Sequence, residues 1–313
     1  MLGFVTWRAF HWRSSSHSQH LLGFIIPSIM ASPSPTVGHQ RAVYQRSLKA
    51  RPRVEYTSEY FFRPLAHLVV MVLLPLRVQP TMLVAFHTCL GIFSGILIAR
   101  GEWLWAAILI QVKTVLDNAD GQLARASGMT SEIGRYADTE GDLLVNAALF
   151  WGIGAATGQL WLAALAFIIL TVLLSSDFNL EYLYKRERGE VFRPQPDSSR
   201  ENQLVLAILA NFYRVFFKPQ DTGIRAFADA RFERIFSRFP NTERRQSALL
   251  AYHEPGALFV LANLELSTQL AVLGLFLIFG QPVLYLWFVI ACGLTLALLQ
   301  WRRERIAARV FQG

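Results

Sequence analysis

DNADGQLARASGMTSEIGRYADTEGD, residues 117–142, is the stretch on which the reading of this chain turns. It joins two apolar blocks, 103–120 and 133–156, and carries Asp117, Asp120, Asp138 and Asp142. Asp117 and Asp120 stand three residues apart and share one face of a helix. Asp138 and Asp142 stand four apart and share one face of the next. A turn of about a dozen residues around Gly128 connects them, so the spacing predicts antiparallel neighbours. Two carboxylate pairs then face each other just beneath one membrane surface.

Four carboxylates in that position repel one another, and each costs roughly 2.5–3.5 kcal/mol at a helix centre on insertion scales. A cation must compensate. Oxygen ligands with no Cys or His suit Mg²⁺, Mn²⁺ or Ca²⁺, and such a cluster can hold two ions about 3.5–4 Å apart, an arrangement fitted to displacement at phosphorus. Gly121 and Gly134 allow close approach of a ligand or facing backbone, and Arg125 offers a planar fork for phosphate oxygens. The alternative is structural: the aspartates form buried salt bridges or cap helix ends. Lys113 lies one turn before Asp117, and Arg135 is three residues before Asp138, but two cations do not neutralise four acids.

The rest of the chain frames this segment as membrane protein. Of its 313 residues 53% are hydrophobic and 17% charged, against about 25% charge in an ordinary soluble domain; mean hydropathy is +0.33. Six stretches approach the roughly 20 residues that hydrocarbon thickness demands: 81–99, 103–120, 133–156, 160–176, 257–279 and 283–300. The aromatic and apolar text of 56–76 predicts an N-terminal helix lying in the interface. The expected fold is thus an all-α integral membrane protein with six transmembrane helices, an interfacial helix and cytoplasmic loops.

Charge orients it. The formal net charge is +8. The short connections 100–102, 157–159 and 280–282 hold one basic residue, Arg100, whereas residues 185–245 hold thirteen Lys/Arg against eight acids. The positive-inside rule puts both termini and the 185–256 insertion in the cytoplasm, beside the aspartates. Basic excess of this kind points to anionic lipid, not nucleic acid. Residues 1–55, with seven Lys/Arg and no acid before Glu55, are expected to be poorly ordered; 56–305 form the membrane domain and 306–313 a basic tail. Cys89 and Cys292 both lie in apolar blocks and read as packing residues.

Written generally, the segment is D-x2-D-G-x2-A-R-x8-G-x3-D-x3-D. It resembles the signature of the CDP-alcohol phosphotransferase family at all eight fixed positions. That resemblance implies a homodimer of six-helix protomers and a CDP-linked donor at the cytoplasmic boundary. It implies Asp117, Asp120 and Asp138 as ligands to Mg²⁺ or Mn²⁺. Asp142 would be the base that deprotonates the acceptor and would touch metal as well, and Gly121, Ala124 and Arg125 would flank the cytidine and its phosphates. The implied reaction transfers a substituted phosphoryl group, from CDP-diacylglycerol in the first instance, to an alcohol hydroxyl, releasing CMP. Transfer of a CDP-linked head group to a lipid acceptor is the alternative. The chain departs from the pattern near the first span, where Pro80, Thr81 and Met82 stand in place of Pro-Asn and a following Thr.

Other signals are weaker. Asp177, Asn179 and Glu181 are expected to solvate the end of the fourth span, with the lining of an acceptor pocket as the alternative. Asn263 and Glu265 either line an acceptor pocket or bond between helices. His87 reads as a packed or hydrogen-bonded helix residue, and Lys113 as a partner for Asp117. Lys185, Arg186 and Arg188 read as lipid-attracting. A cation transporter using the acids as a pathway is the competing class, though it would set them nearer mid-membrane.

Overall fold

A computed structural model describes residues 53–192, 196, 198–199, 201–237 and 243–312. Most of the 1–55 segment expected to be poorly ordered lies outside the described residues. Those described are helical, with no strand among them. A π-helical turn, Ser58–Phe62, leads into α1 (Arg63–Leu73). The long helices α2 (Pro80–Ala99), α3 (Trp103–Ser127), α4 (Glu132–Thr157) and α5 (Leu160–Glu187) follow. Then come α6 (Gln203–Phe236), α7 (Glu243–Tyr252), α8 (Pro255–Ala262), α9 (Leu266–Ile278) and α10 (Pro282–Gln312).

Four segments are long and apolar enough to cross a membrane: α2, α5, Glu243–Ile278 and α10. The protein is an integral membrane protein. α3 and α4, at 25 and 26 residues, have the length as well, but the aspartate segment occupies their facing ends.

The expected helix edges move where polar residues do not interrupt a helix. α3 continues past Asp120 to Ser127 and stops at Gly128, whose φ of 73° supplies the left-handed C-terminal residue. α4 starts on Ser131, whose Oγ accepts from the Gly134 N–H at 2.9 Å. The carboxylate of Glu201, from the segment before α6, takes the next two free donors, the N–H groups of Glu132 and Ile133, each at 2.7 Å. An acid at this end also opposes the positive end of the helix dipole. α5 does not end near Ser176 but runs on to Glu187, so Asp177 and Asn179 are buried inside a helix and not solvating its end. The fifth apolar stretch is not one helix. It breaks at Asn263–Glu265 between α8 and α9, where the Asn263 amide donates to Val54 O and accepts from the Tyr56 N–H.

Small residues set the closest contact. Gly91 and Gly95 on α2 lie against Val145 and Ala148 of α4, Gly141 and Gly152 on α4 lie against Thr88 and Gly95 of α2, and a methyl group at Gly95 would stand 2.5 Å from the Ala148 carbonyl oxygen. Backbones that approach this closely pack without large side chains, as membrane helices do. This contact brings α2 against the helices that carry the aspartates.

Candidate active site

The aspartates meet as their spacing predicts. Asp117 and Asp120 from α3 and Asp138 and Asp142 from α4 line one cleft of about 720 Å³. Gly121 and Arg125 line it too. A Cβ on Gly121 would come 3.2 Å from the Arg125 guanidinium, so glycine there makes room for that side chain. Ala124, expected beside the nucleotide, and Gly134, expected to allow close approach of a ligand or facing backbone, are not among the lining residues. Gly134 works locally instead: its N–H is held by Ser131, and a Cβ would strike Ser131 Oγ and approach Thr81.

Two residues from sequence-distant positions complete the cluster. His87 on α2 is fully buried, with Nε2 2.7 Å from Asp120 Oδ2 and 3.7 Å from Asp117 Oδ1. A 2.7 Å contact with a carboxyl group needs a proton between the atoms; with Asp120 ionised, the Nε2–H tautomer of His87 donates it and orients Asp120. The expectation of a hydrogen-bonded histidine holds, and its partner makes it part of the site. Lys113 is also buried. Its Nζ lies 3.4 Å from Asp117 Oδ1, the expected partner, and closer still, 2.5 Å, to Asp142 Oδ1.

Ligand-capable atoms of His87, Asp117, Asp120 and Asp138 all lie within 4.8 Å of one another. Asp138 Oδ1 is buried without a hydrogen-bond partner. A carboxylate oxygen shielded from water and left without a donor is stable only when a cation or a proton takes that place. In the tautomer that donates to Asp120, His87 leaves only carboxylate oxygens for an ion. The set therefore fits a hard divalent cation.

The opposite wall was only partly foreseen. α5 contributes Thr171, Ser175, Asp177 and Glu181; α6 contributes Tyr213 and Asp221; the α8–α9 break contributes Glu265. Arg53 Nη1 holds Asp177 Oδ1 at 3.0 Å, its Nη2 lies 3.6 Å from Glu181 Oε2, and Lys185 reaches Glu181 Oε1 at 2.9 Å. Asp221 accepts from Tyr213 Oη at 2.6 Å and from the Asn179 amide at 2.7 Å. Arg225 in turn donates to Asn179 Oδ1 at 2.6 Å. Burial, then the bond to Asp221, pushes the Tyr213 phenol above its ordinary value, so it stays a neutral donor. Basic residues assigned to lipid attraction also bind protein here: Arg186 pairs with Asp229 at 3.1 Å, and Arg188 donates to Leu250 O at 3.2 Å.

Residues 77–194 match the family model of the CDP-alcohol phosphatidyltransferases. The match covers a little over a third of the chain and shows what that segment is similar to. It is 31% identical over 100 residues to a phosphatidylinositol phosphate synthase of Streptomyces avermitilis, covering 31% of this chain and 40% of that protein. It is 29% identical over 150 residues to a bifunctional IPC transferase and DIPP synthase of Thermococcus kodakarensis, covering 44% and 33%. The chain thus spans less than half the length of either curated relative. The matched segment takes in the four aspartates, His87 and Lys113, and stops short of α6.

Proposed function

We propose that this protein is a membrane-bound phosphotransferase that moves a substituted phosphoryl group from a CDP-linked donor, CDP-diacylglycerol, to an alcohol hydroxyl and releases CMP. The observation that carries the proposal is the convergence of four aspartates from two helices on one cleft, with a buried carboxylate oxygen of Asp138 that has no protein partner. Asp117, Asp120 and Asp138 would hold Mg²⁺ or Mn²⁺. When bound, the ion supplies charge compensation for the diphosphate and Lewis acidity toward the leaving nucleotide.

The residues of the chain do the remaining work. Arg125, with Gly121 giving it room, is suited to a donor phosphate. The acceptor oxygen attacks the phosphorus that bears the lipid group. The bond from that phosphorus to the bridging oxygen breaks, and its electron pair leaves with CMP. The hydroxyl proton passes to Asp142, whose Oδ1 is engaged by Lys113, so Oδ2 is the oxygen assigned to receive it. Holding acceptor and donor in one cleft is itself a large part of the rate.

The same proposal has α3 and α4 crossing the membrane as a fifth and sixth span, α1 lying in the interface, and the cleft opening to the cytoplasm. A homodimer is part of it as well. The basic excess of 185–245 supports the orientation. The test is direct: purified protein with Mg²⁺ or Mn²⁺ is offered CDP-diacylglycerol or CDP-choline with a panel of alcohols. CMP and a product of the matching mass are expected with CDP-diacylglycerol; no CMP from any donor would reject the reading.

A further inference from the structure

α6 reverses the usual order of a surface helix. A helix set between protein and water buries an apolar stripe and shows polar residues outward. The inner face of α6 carries polar contacts instead: Gln220 accepts from Ser175 Oγ of α5 at 2.8 Å, Arg225 donates to Asn179 of α5 at 2.6 Å, and Arg231 forks onto Glu304 of α10 at 2.6 and 2.8 Å. Its outer face is apolar. Leu204, Ile208 and Val215 fall on one line of the helix and are each more than half exposed, and Phe216 and Phe227 stand exposed beside that line.

The depth of α6 says what meets that face. α5 is long and apolar enough to span, and Trp161, 91% exposed in its first turn, marks one boundary of the bilayer, where tryptophan is enriched. Ser175 lies about 21 Å further along by helical rise, against roughly 30 Å of hydrocarbon. The bond from Ser175 to Gln220 therefore holds the middle of α6 within bilayer depth, toward the other boundary. Charge agrees with that placement. Arg214 and Lys218, one turn apart and both exposed, flank the apolar line. The only acid between Gln203 and Ala228 is Asp221, which is buried and bonded to Asn179. Cations at the edge of an apolar stripe are placed for lipid phosphates.

We infer that the outer face of α6 binds the surface of an anionic bilayer. Leu204, Ile208, Val215 and Phe216 enter the acyl boundary, and Arg214 and Lys218 meet the head groups. The opposite face of the same helix carries Tyr213, Phe217 and Asp221 into the cleft, so lipid backs one wall of the site. The inference rests on α5 as a spanning helix and is independent of the reaction that the cleft performs.

Full-length protein carrying Cys89→Ser, with Cys292 left in its buried place, is spin-labelled at Ile208→Cys or Val215→Cys. It is placed in nanodiscs of phosphatidylcholine with phosphatidylglycerol. The ratio of collisions with oxygen to collisions with a water-soluble nickel chelate is expected to be about three-fold or more above that of a label at Glu190→Cys, in the exposed connection after α5. A ratio equal to that of Glu190→Cys would put the face in water. Shielding from both reagents would put protein there, a second copy or another segment of this chain. Either result overturns the inference. In unlabelled protein the Tm is expected to be higher with phosphatidylglycerol present than in phosphatidylcholine alone, and Arg214→Gln/Lys218→Gln is expected to lose about half or more of that rise. No rise in the unaltered protein, or an equal rise in the variant, overturns the head-group contact.

Discussion

The two walls of the cleft carry similar numbers of acids and treat them differently. On the α5–α6 side each acid for which distances are given has a protein partner: Asp177 holds Arg53, Glu181 holds Arg53 and Lys185, and Asp221 receives Tyr213 and Asn179. On the α3–α4 side Lys113 touches two of the four aspartates, His87 touches a third, and Asp138 keeps a buried oxygen without a donor. Counting carboxylates does not tell an ion site from a structural wall. Counting their partners does.

The largest effects are expected on the unpaired wall. Asp138→Asn should lower kcat/KM for CMP release by about 10³-fold or more, since on the proposed reading it replaces a ligand of the ion that polarises the reaction. An undiminished rate would remove Asp138 from the site. Chelation should abolish turnover reversibly, and added Mg²⁺ or Mn²⁺ should raise the Tm of the native protein but not of Asp117→Asn/Asp120→Asn. An equal rise in both would show that the ion binds elsewhere. Asp142→Asn should cost roughly 10²–10⁴-fold in kcat, the range of general-base contributions, with donor affinity retained. Equal turnover would refute the base assignment.

Smaller effects sharpen the contrast. His87→Ala frees Asp120 from its orienting bond, and metal affinity should fall about 10–100-fold, the usual result of losing a supporting hydrogen bond. An unchanged affinity would make His87 a packing residue. The paired wall should respond in stability instead. Arg53→Ala leaves buried Asp177 without its cation, while Glu181 keeps Lys185, a loss of about 3–5 kcal/mol for a broken buried pair. It should appear as a lowered Tm, and partial restoration by Asp177→Asn in the same chain would trace the loss to that charge. If Arg53→Ala melts like the native protein, the two walls do not differ as described.

The aspartate pairs and the turn at Gly128 were legible because helical register is local: three or four residues of separation suffice to place side chains on one face. His87 was not legible as a site residue. It lies 33 positions from Asp120, and one polar residue in an apolar helix says nothing about which neighbour it faces. The contact of Lys113 with Asp142 was hidden for the same reason, while its pairing with Asp117, one turn away, could be read directly. Boundaries failed where polarity was taken for an ending. Asp177, Asn179 and Glu181 look like a helix terminus in sequence, yet Arg53 and Arg225 satisfy them inside a continuing helix. The part played by α6 depends on long-range packing that spacing along the chain does not encode.

Glu201 closes the N-terminus of α4 from a segment that the matched domain does not reach. The helix that presents Asp138 and Asp142 is therefore clamped by the insertion, two turns upstream of the first of them. Cutting the chain back to residues 77–194 would discard that clamp along with the far wall. What looks like an appended loop is part of the bearing on which the working helix is seated.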